Sequence, residues 1–599
     1  MTKLTGLGLF SLLKHNNQLF VIMRTKVSSS ILVIQSVFTF TFFSFFSVHV
    51  AIAQAPNFEW AASLTSFQEL EVYAVEADLL GNVYTTGSFY GSVDLDPGAS
   101  TYSLTSYGAS DCFVLKLDPF GNFVWAVQIG GVGFDRSNDI AINALGEIHI
   151  TGNFEDSVDF DPGIGVYSLL SHSEQNIFTL KLDSAGSMMW AISFEGGWYD
   201  AGYGIAVDDQ NNVYTTGWFA DTVDFDPGPA TYNLVGPGWD EMFVCKLNSN
   251  GDFLWARGTE GTQYTEGYDI VVDDFGYLYS VGLFSQVVDF NPNSGGFPIT
   301  TQGNNDIFIN KLDTAGNFIW TVSIGGNGYD AAYGITTDDD GNVYTCGHFQ
   351  DVVDFDPGSG VNIQTSDGGY DAYVNKLDSM GNFVWSASWG NAEHEYAFSL
   401  DLDYAGNPHT TGYYSGTVDF DPGPSSSTLN SAANGSTFIS KLDSSGNYLW
   451  SGAVGAFITQ SRGLSIDEND NLYIAGSYMG TGDFDPGSNT TLLTSDSLGG
   501  YVVKFIGNLS TNEINSENTL INVSIYPNPV EDELIIEHNL QGEVTAIIYA
   551  LDGSLVYEGK SSKTEISIDS DELKSGVYML FLVNDEKMKV ARKFVKLAP

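Results

Sequence analysis

The pattern with the most chemical content in this chain is Val-Asp-Phe-Asp-Pro-Gly. It stands at 158–163, 223–228, 353–358 and 418–423, with Leu95 for Phe at 93–98 and Gly482 for Val at 482–487. Its carboxylates are Asp94 and Asp96, Asp159 and Asp161, Asp224 and Asp226, Asp354 and Asp356, Asp419 and Asp421, and Asp483 and Asp485. In the copy at Val288, Asn291 and Asn293 replace the second Asp and the Gly. Side chains alternate along an extended segment, so Val and Phe share one face and both Asp the other. Paired carboxylates beside a Pro-Gly turn can supply oxygens to Ca²⁺, a hard cation that takes about six to eight of them. Each element offers only two, so carbonyls, water or another loop must add the rest. The alternative is a solvated strand edge whose Asp caps its own turn.

Other chemistry is sparse. Asp338-Asp339-Asp340-Gly341 lacks the alternating ligands and distal Glu of an EF-hand loop. His149 and His409 take the place of a repeated Tyr and are expected in the core; His172, His348 and His394 show no metal-ligand spacing. Cys112, Cys245 and Cys346 are odd in number and sit in apolar strand patterns, so they are expected as buried, unpaired residues. An enzyme would need polar residues peculiar to one copy. The places to look are Arg257, Glu260 and Glu266, and Glu393, His394 and Glu395, all expected on exposed loops between copies. No residue is assigned a catalytic or cofactor role.

The elements that position these residues are repeated. Trp60, Trp125, Trp190, Trp255, Trp320, Trp385 and Trp450 recur every 65 residues. Lys116, Lys181, Lys246, Lys311, Lys376 and Lys441 keep the same step, and Lys504 ends the series. Periods of this length mean stacked or radial arrays. Each copy reads as four short strands joined by Asx-Gly turns. The chain opens on a Trp strand and ends the repeat on a Lys strand, which are hairpin partners in every other copy. Pairing them completes a ring and leaves no open edge. The expectation is therefore all-β: a seven-bladed β-propeller over 56–506, closed by an N-terminal strand, with Trp filling the gaps between blades. The repeated Lys is expected in an ion pair with an Asp across blades.

The ends carry addresses. Arg24 and Lys26 precede an apolar run from Ile31 to Ile52, so 1–55 reads as a signal-peptide region with its true start at Met23 and cleavage after Ala53 or Ala55. An uncleaved span is the alternative, since the run is long enough to cross a bilayer. Residues 507–522 are polar and read as a linker. Residues 523–599 lose the repeat, alternate in strand fashion and read as a small β-sandwich. Asp and Glu total 74 against 22 Lys and Arg, a net charge of −52. That balance excludes a nucleic-acid partner, which needs basic stripes, and suits a solvated extracellular protein.

Two resemblances add to this reading. The motifs Gly-Ile-Ala-Val-Asp (204–208), Asn-Val-Tyr-Thr-Thr-Gly (212–217), Phe-Val-x-Lys-Leu (243–247) and Gly-Asn-Phe-x-Trp (121–125) resemble the bacterial SBBP-type β-propeller repeat over roughly 58–506. That family implies the fold and says little about activity. In the tail, Tyr526-Pro527-Asn528-Pro529, Leu551-Asp552-Gly553 and the run through Gly576 and Tyr578 to Arg592-Lys593-Phe594-Val595-Lys596 resemble the type A sorting domain of the Bacteroidetes type IX secretion system. The resemblance implies passage through the secretion machinery to the cell surface or medium, then removal of the tail with attachment to surface lipopolysaccharide. Function is then expected to be non-enzymatic binding or adhesion, with a glycan or protein ligand. The alternative is a hydrolase or lyase acting on extracellular polysaccharide at the channel.

Overall fold

The structure is a computed structural model. It describes residues 10–15, 18–23, 57–171, 174–292 and 295–507, and in the tail 523–526, 533–538, 544–550, 555–569, 573–574, 576–584 and 589–596. Every regular element among the described residues is a strand. The expected leader cleavage at 51–55 and the linker from 508 to 522 lie outside the described residues. In the N-terminal segment, Phe10–His15 and Gln18–Met23 pair as an antiparallel hairpin.

The repeat builds seven four-stranded antiparallel sheets. The second runs Arg136–Ile142, Ile148–Phe154, Asn176–Leu182 and Met188–Phe194, each strand paired with the next. The turn between first and second strands is fixed by its Asx residue. In the third sheet the Asp208 carboxylate accepts the amides of Gln210 and Asn212 at 2.9 and 2.8 Å, and Asn211 takes a positive φ of 60°. Asn tolerates that conformation at little cost, and other copies place Gly there.

The seventh sheet takes its fourth strand from the start of the repeat. Ile458–Ile466, Leu472–Asp483 and Leu492–Ile506 are followed in space by Asn57–Ser66. Trp60 lies opposite Lys504, as Trp190 lies opposite Lys181. The first strands of the seven sheets are Glu69–Ala77, Arg136–Ile142, Ala201–Val207, Thr265–Val272, Ala331–Thr337, Tyr396–Leu402 and Ile458–Ile466. Each lies beside the next, and the seventh lies beside the first.

Apolar side chains gather between neighbouring sheets. Tyr84, Cys112 and Val114 of the first sheet pack with Ile140, Phe160 and Phe178 of the second. Val75 and Val83 pack with Tyr473 and Val502 of the seventh. Among the described residues, six of the seven repeated Trp pin their interfaces. Trp125, Trp190, Trp255, Trp320 and Trp385 donate Nε1–H to a turn carbonyl of the following sheet at 3.0–3.4 Å. Trp60, in the seventh sheet, reaches Pro119 of the first at 3.1 Å. The three cysteines are buried and unpaired.

The repeated Lys departs from expectation. Its carboxylate partner lies in its own sheet: Lys181 with Glu147 at 2.6 Å, Lys376 with Asp338 at 3.2 Å, Lys504 with Glu59 at 2.9 Å. What it sends across the interface is a hydrogen bond to the carbonyl that the Trp also uses, as Lys246 does to Thr314 at 3.1 Å. Glu147 and Asp338 lie at the turn beside the Lys strand's own partner, and Glu59 lies on the strand paired with that of Lys504, so each sits within reach before any neighbouring sheet does.

In the tail, Val523–Tyr526, Glu533–His538 and Glu565–Asp569 form one sheet; Val544–Ala550, Leu555–Ser561, Gly576–Asn584 and Lys589–Lys596 form another. Leu534, Ile536, Ile548, Ile568, Leu580 and Leu582 share one core. Tyr526 pairs with Ile535, and the Tyr578 hydroxyl donates to the Lys574 carbonyl at 2.7 Å. Pro527, Asn528 and Pro529 lie outside the described residues.

Candidate functional site

The Asp-Pro-Gly elements form short hairpins at the sheet edges. Val158 and Phe160, like Val223 and Phe225, are fully buried, while their Asp point outward. The carboxylates cap the turn. Asp159 Oδ1 accepts the amides of Asp161 at 3.1 Å and Tyr167 at 2.8 Å, and Asp161 Oδ1 accepts that of Gly163 at 2.8 Å. The same three bonds recur at Asp94 and Asp96, Asp224 and Asp226, Asp354 and Asp356, Asp419 and Asp421, and Asp483 and Asp485. Among the described residues no third acidic or imidazole side chain joins any pair in a metal-holding group.

The first strands carry a feature that strict alternation hides. Each has a β-bulge, which leaves Tyr73, Asn138, Tyr203, Tyr268, Tyr333, Phe398 or Arg462 out of the pairing. These extra residues touch from sheet to sheet. Tyr203 meets Tyr268 at 5.6 Å, Tyr268 meets Tyr333 at 5.3 Å, and Tyr333 meets Phe398 at 5.3 Å between ring centroids. Arg462 lies 5.1 Å from the Phe398 ring and 5.7 Å from Tyr73, and Arg136 lies 3.9 Å over Tyr73. Asn138 completes the belt by donating to the Gly202 carbonyl at 2.7 Å.

Beside the belt stand four carboxyls. First strands present one edge without a sheet partner, and three Asp use it. Asp139 accepts the amides of Ile140 and of Ile205 in the next sheet, both at 2.8 Å. Asp269 does the same with Ile270 and Ile335, and Asp401 with Leu402 and Ile466. Asp139 and Asp269 stand at one position of the repeat, and Asp401 and Glu76 stand at another, two residues further along. At the first position Gly204, Gly334 and Gly463 stand where space is short, and a Cβ on Gly463 would lie 2.7 Å from the Val75 nitrogen. Glu76 meets Ser465 instead; burial, with the charges of Asp401 and Asp139, pushes it up to about 8. Burial also lifts Asp139 and Asp401 to about 6 and Asp269 well above the carboxylate range.

A second set of acids lies at the start of the first strands. Asp135, Asp200, Asp330 and Glu395 are fully buried. Asp135, Asp330 and Glu395 accept two backbone amides of the surrounding loops, as Asp330 does from Gly326 at 2.8 Å and Gln350 at 2.9 Å, and Asp200 accepts that of Ala220 at 2.9 Å. Burial raises Asp135, Asp330 and Glu395 to about 7 and Asp200 to about 8. The residue just before each is exposed: Phe134, Tyr199, Tyr329 and His394.

Several single-copy residues differ from expectation. Glu395 is buried as one of these loop pins, because its carboxylate completes a repeated amide pocket. Glu266 lies on a first strand and accepts from the Tyr268 hydroxyl at 2.7 Å. Arg257 lies on a fourth strand, its Nε donating to the Gly316 carbonyl at 2.8 Å. Glu260 sits at a two-residue strand and, with Glu393 and His394, is exposed as expected. His149 and His409 occupy the core positions of the repeated Tyr, and burial lowers His149 to about 4.

Comparison with known proteins assigns one end of the chain. Residues 524–597 match the secretion system C-terminal sorting domain. The chain is 25% identical over 534 residues to an uncharacterised WD repeat-containing protein of Acanthamoeba polyphaga mimivirus, covering 74% of this chain and 38% of that one. It is 25% identical over 162 residues to the regulatory protein FlaEY of Caulobacter vibrioides, covering 26% of this chain and 16% of that one. It thus spans well under half the length of either relative. Among solved structures it is similar to PorZ, a surface component of the type IX secretion system of Porphyromonas gingivalis, with 11% identity, 90% and 100% coverage and a TM-score of 0.22. A Bacteroides caccae protein of unknown function shares 11% identity over 57% of this chain and 89% of its own, with a TM-score of 0.28. The sorting domain means that the chain engages the type IX secretion machinery and is delivered to the cell surface or the extracellular space.

Proposed function

We propose that residues 56–506 form a seven-bladed β-propeller, closed by the N-terminal strand, that works as a non-enzymatic binding module on the cell surface. The adjacency of the seventh and first of the first strands supports closure, as does the Trp60 bond to Pro119. Removal of the tail and attachment to surface lipopolysaccharide belong to the same proposal. The observation that carries the binding reading is the equivalence of polar groups from blade to blade. Asp135, Asp330 and Glu395 each hold their loops by two amides, one on each oxygen, and Asp200 holds one of the two equivalent loops. A catalytic centre needs different groups in different roles at one place.

A hydrolase or lyase remains the second reading because of Glu76. A carboxyl raised to about 8 beside lower-lying carboxylates is the pattern of an acid and base pair. Against it, both oxygens of Asp139 and Asp401 already accept backbone amides. The test incubates the mature chain with extracellular polysaccharides and follows adsorption and reducing ends together. Saturable adsorption without new ends is expected. Release of ends that is lost in Glu76→Gln would overturn the binding reading.

A further inference from the structure

We propose that the loop face at the start of the first strands binds an uncharged polysaccharide, its sugar rings laid on Phe134, Tyr199, Tyr264 and Tyr329. This rests on the binding reading above and names its ligand class. The four residues are equivalent, 65 positions apart, and lie in four successive sheets. Their exposures are 57, 44, 37 and 46%, unusual for large rings that recur at one structural position. Isolated exposed apolar residues mean little, but a repeated row of them marks a contact surface.

Each Tyr comes with a polar companion. Parallel bridges join Tyr199 to Gln175, Tyr264 to Asp240 and Tyr329 to Asn305, each companion belonging to the preceding sheet. Each of the three Tyr is thus bridged to a residue bearing an amide or carboxylate, of which the Gln175 amide is itself held by Asn153 and Glu155. That pairing matches a pyranose, whose C–H face packs on the electron-rich face of an aromatic ring while its edge hydroxyls bond to polar groups. It fits a protein partner less well, since protein contacts centre on a continuous apolar patch.

Three further features fix the ligand class. The stems are rigid: Asp135, Asp200 and Asp330, directly after three of the rings, are buried and bonded to loop amides, so little order is lost on binding. The net charge of −52 repels an anionic chain. Equivalent sites repeated at a constant step favour a repeating ligand, for which weak single contacts add through effective concentration.

Affinity electrophoresis of the full mature chain in gels containing dextran, laminarin or yeast mannan tests the proposal, with alginate as the anionic control. Retardation by at least one uncharged polymer and none by alginate is expected. The triple variant Tyr199→Ala, Tyr264→Ala, Tyr329→Ala should weaken the retardation about tenfold or more, and the matching Tyr→Phe triple should retain most of it. Equal far-ultraviolet spectra and melting keep the Ala variant interpretable. No retardation by any uncharged polymer, equal retardation by alginate, or an Ala triple that binds as the parent does overturns the proposal, as does binding to gelatin alone, which would point to a protein ligand. Release of reducing ends from a retarding polymer would leave this face standing and defeat the non-enzymatic reading instead.

Discussion

The outer strands and the first strands of the same sheets are built on different rules. On the fourth strands one Trp recurs without variation, and six of the seven copies make the same bond to the equivalent carbonyl. On the first strands the bulge residue changes from Tyr to Asn, Phe and Arg, and the residue after it changes among Asp, Gly, Ser and Ala. Uniform positions face uniform neighbours, because every interface between sheets is the same interface. Varied positions meet differing neighbours, Tyr on Tyr, Tyr on Phe and Phe on Arg, and there the chain departs from its own repeat.

The largest way to break this contrast is to remove Asn57–Ser66. The seventh sheet then loses its fourth strand, Lys504 loses Glu59 and Pro119 loses Trp60. Loss of the single cooperative melting transition is expected; a variant that melts like the parent would show that the strand is dispensable. Next comes a pair of substitutions. Trp190→Ala should cost about 3 kcal/mol in denaturant melts, since it empties an interface and leaves the Ser249 carbonyl with Lys181 alone. Tyr203→Ala should cost about 1–2 kcal/mol, because one belt ring has soft, varied neighbours. The reverse order would undo the contrast.

A smaller effect follows from the buried acids. Asp135, Asp330 and Glu395 sit near 7 and Asp200 near 8 in the folded chain, against ordinary values of 3.8 for Asp and 4.5 for Glu. Between about pH 4 and pH 8 the folded chain therefore holds more protons than the unfolded one, and stability falls as pH rises through that window. A higher melting temperature at pH 5 than at pH 8 is expected, and the opposite order would mean the loop carboxyls are ionised when folded. The smallest effect concerns the hairpin Asp pairs. Their Oδ1 atoms already accept amides, so melting in millimolar calcium and in EDTA should agree within about 1 °C. A difference of several degrees would make them an ion site.

How much was legible in the sequence follows the same division. The 65-residue step of Trp and Lys announces the copies and the pairing of the first and last strands, because those residues touch partners that repeat with them. The burial of Phe160 and Phe225 opposite their Asp follows from alternation alone. The belt does not. A bulge adds one residue and shifts the alternation, so Tyr203, Tyr268 and Tyr333 read as ordinary strand positions although their spacing was visible. Nor could Glu395 be told from a loop carboxylate, since its burial depends on Asn391 and Ser415 folding back over it. The Lys partner was misjudged for a similar reason, as spacing cannot tell which side of an interface the acid occupies.

Everything above depends on the strand at 57–66 standing where a fourth strand stands in the other six sheets. Hydrogen–deuterium exchange of the intact chain measures this without altering a residue. The account predicts that the amides of 60–64 exchange as slowly as those of 125–129 and 190–194, their equivalents in the first and second sheets. Exchange of 60–64 within seconds, with the equivalents protected, would contradict it.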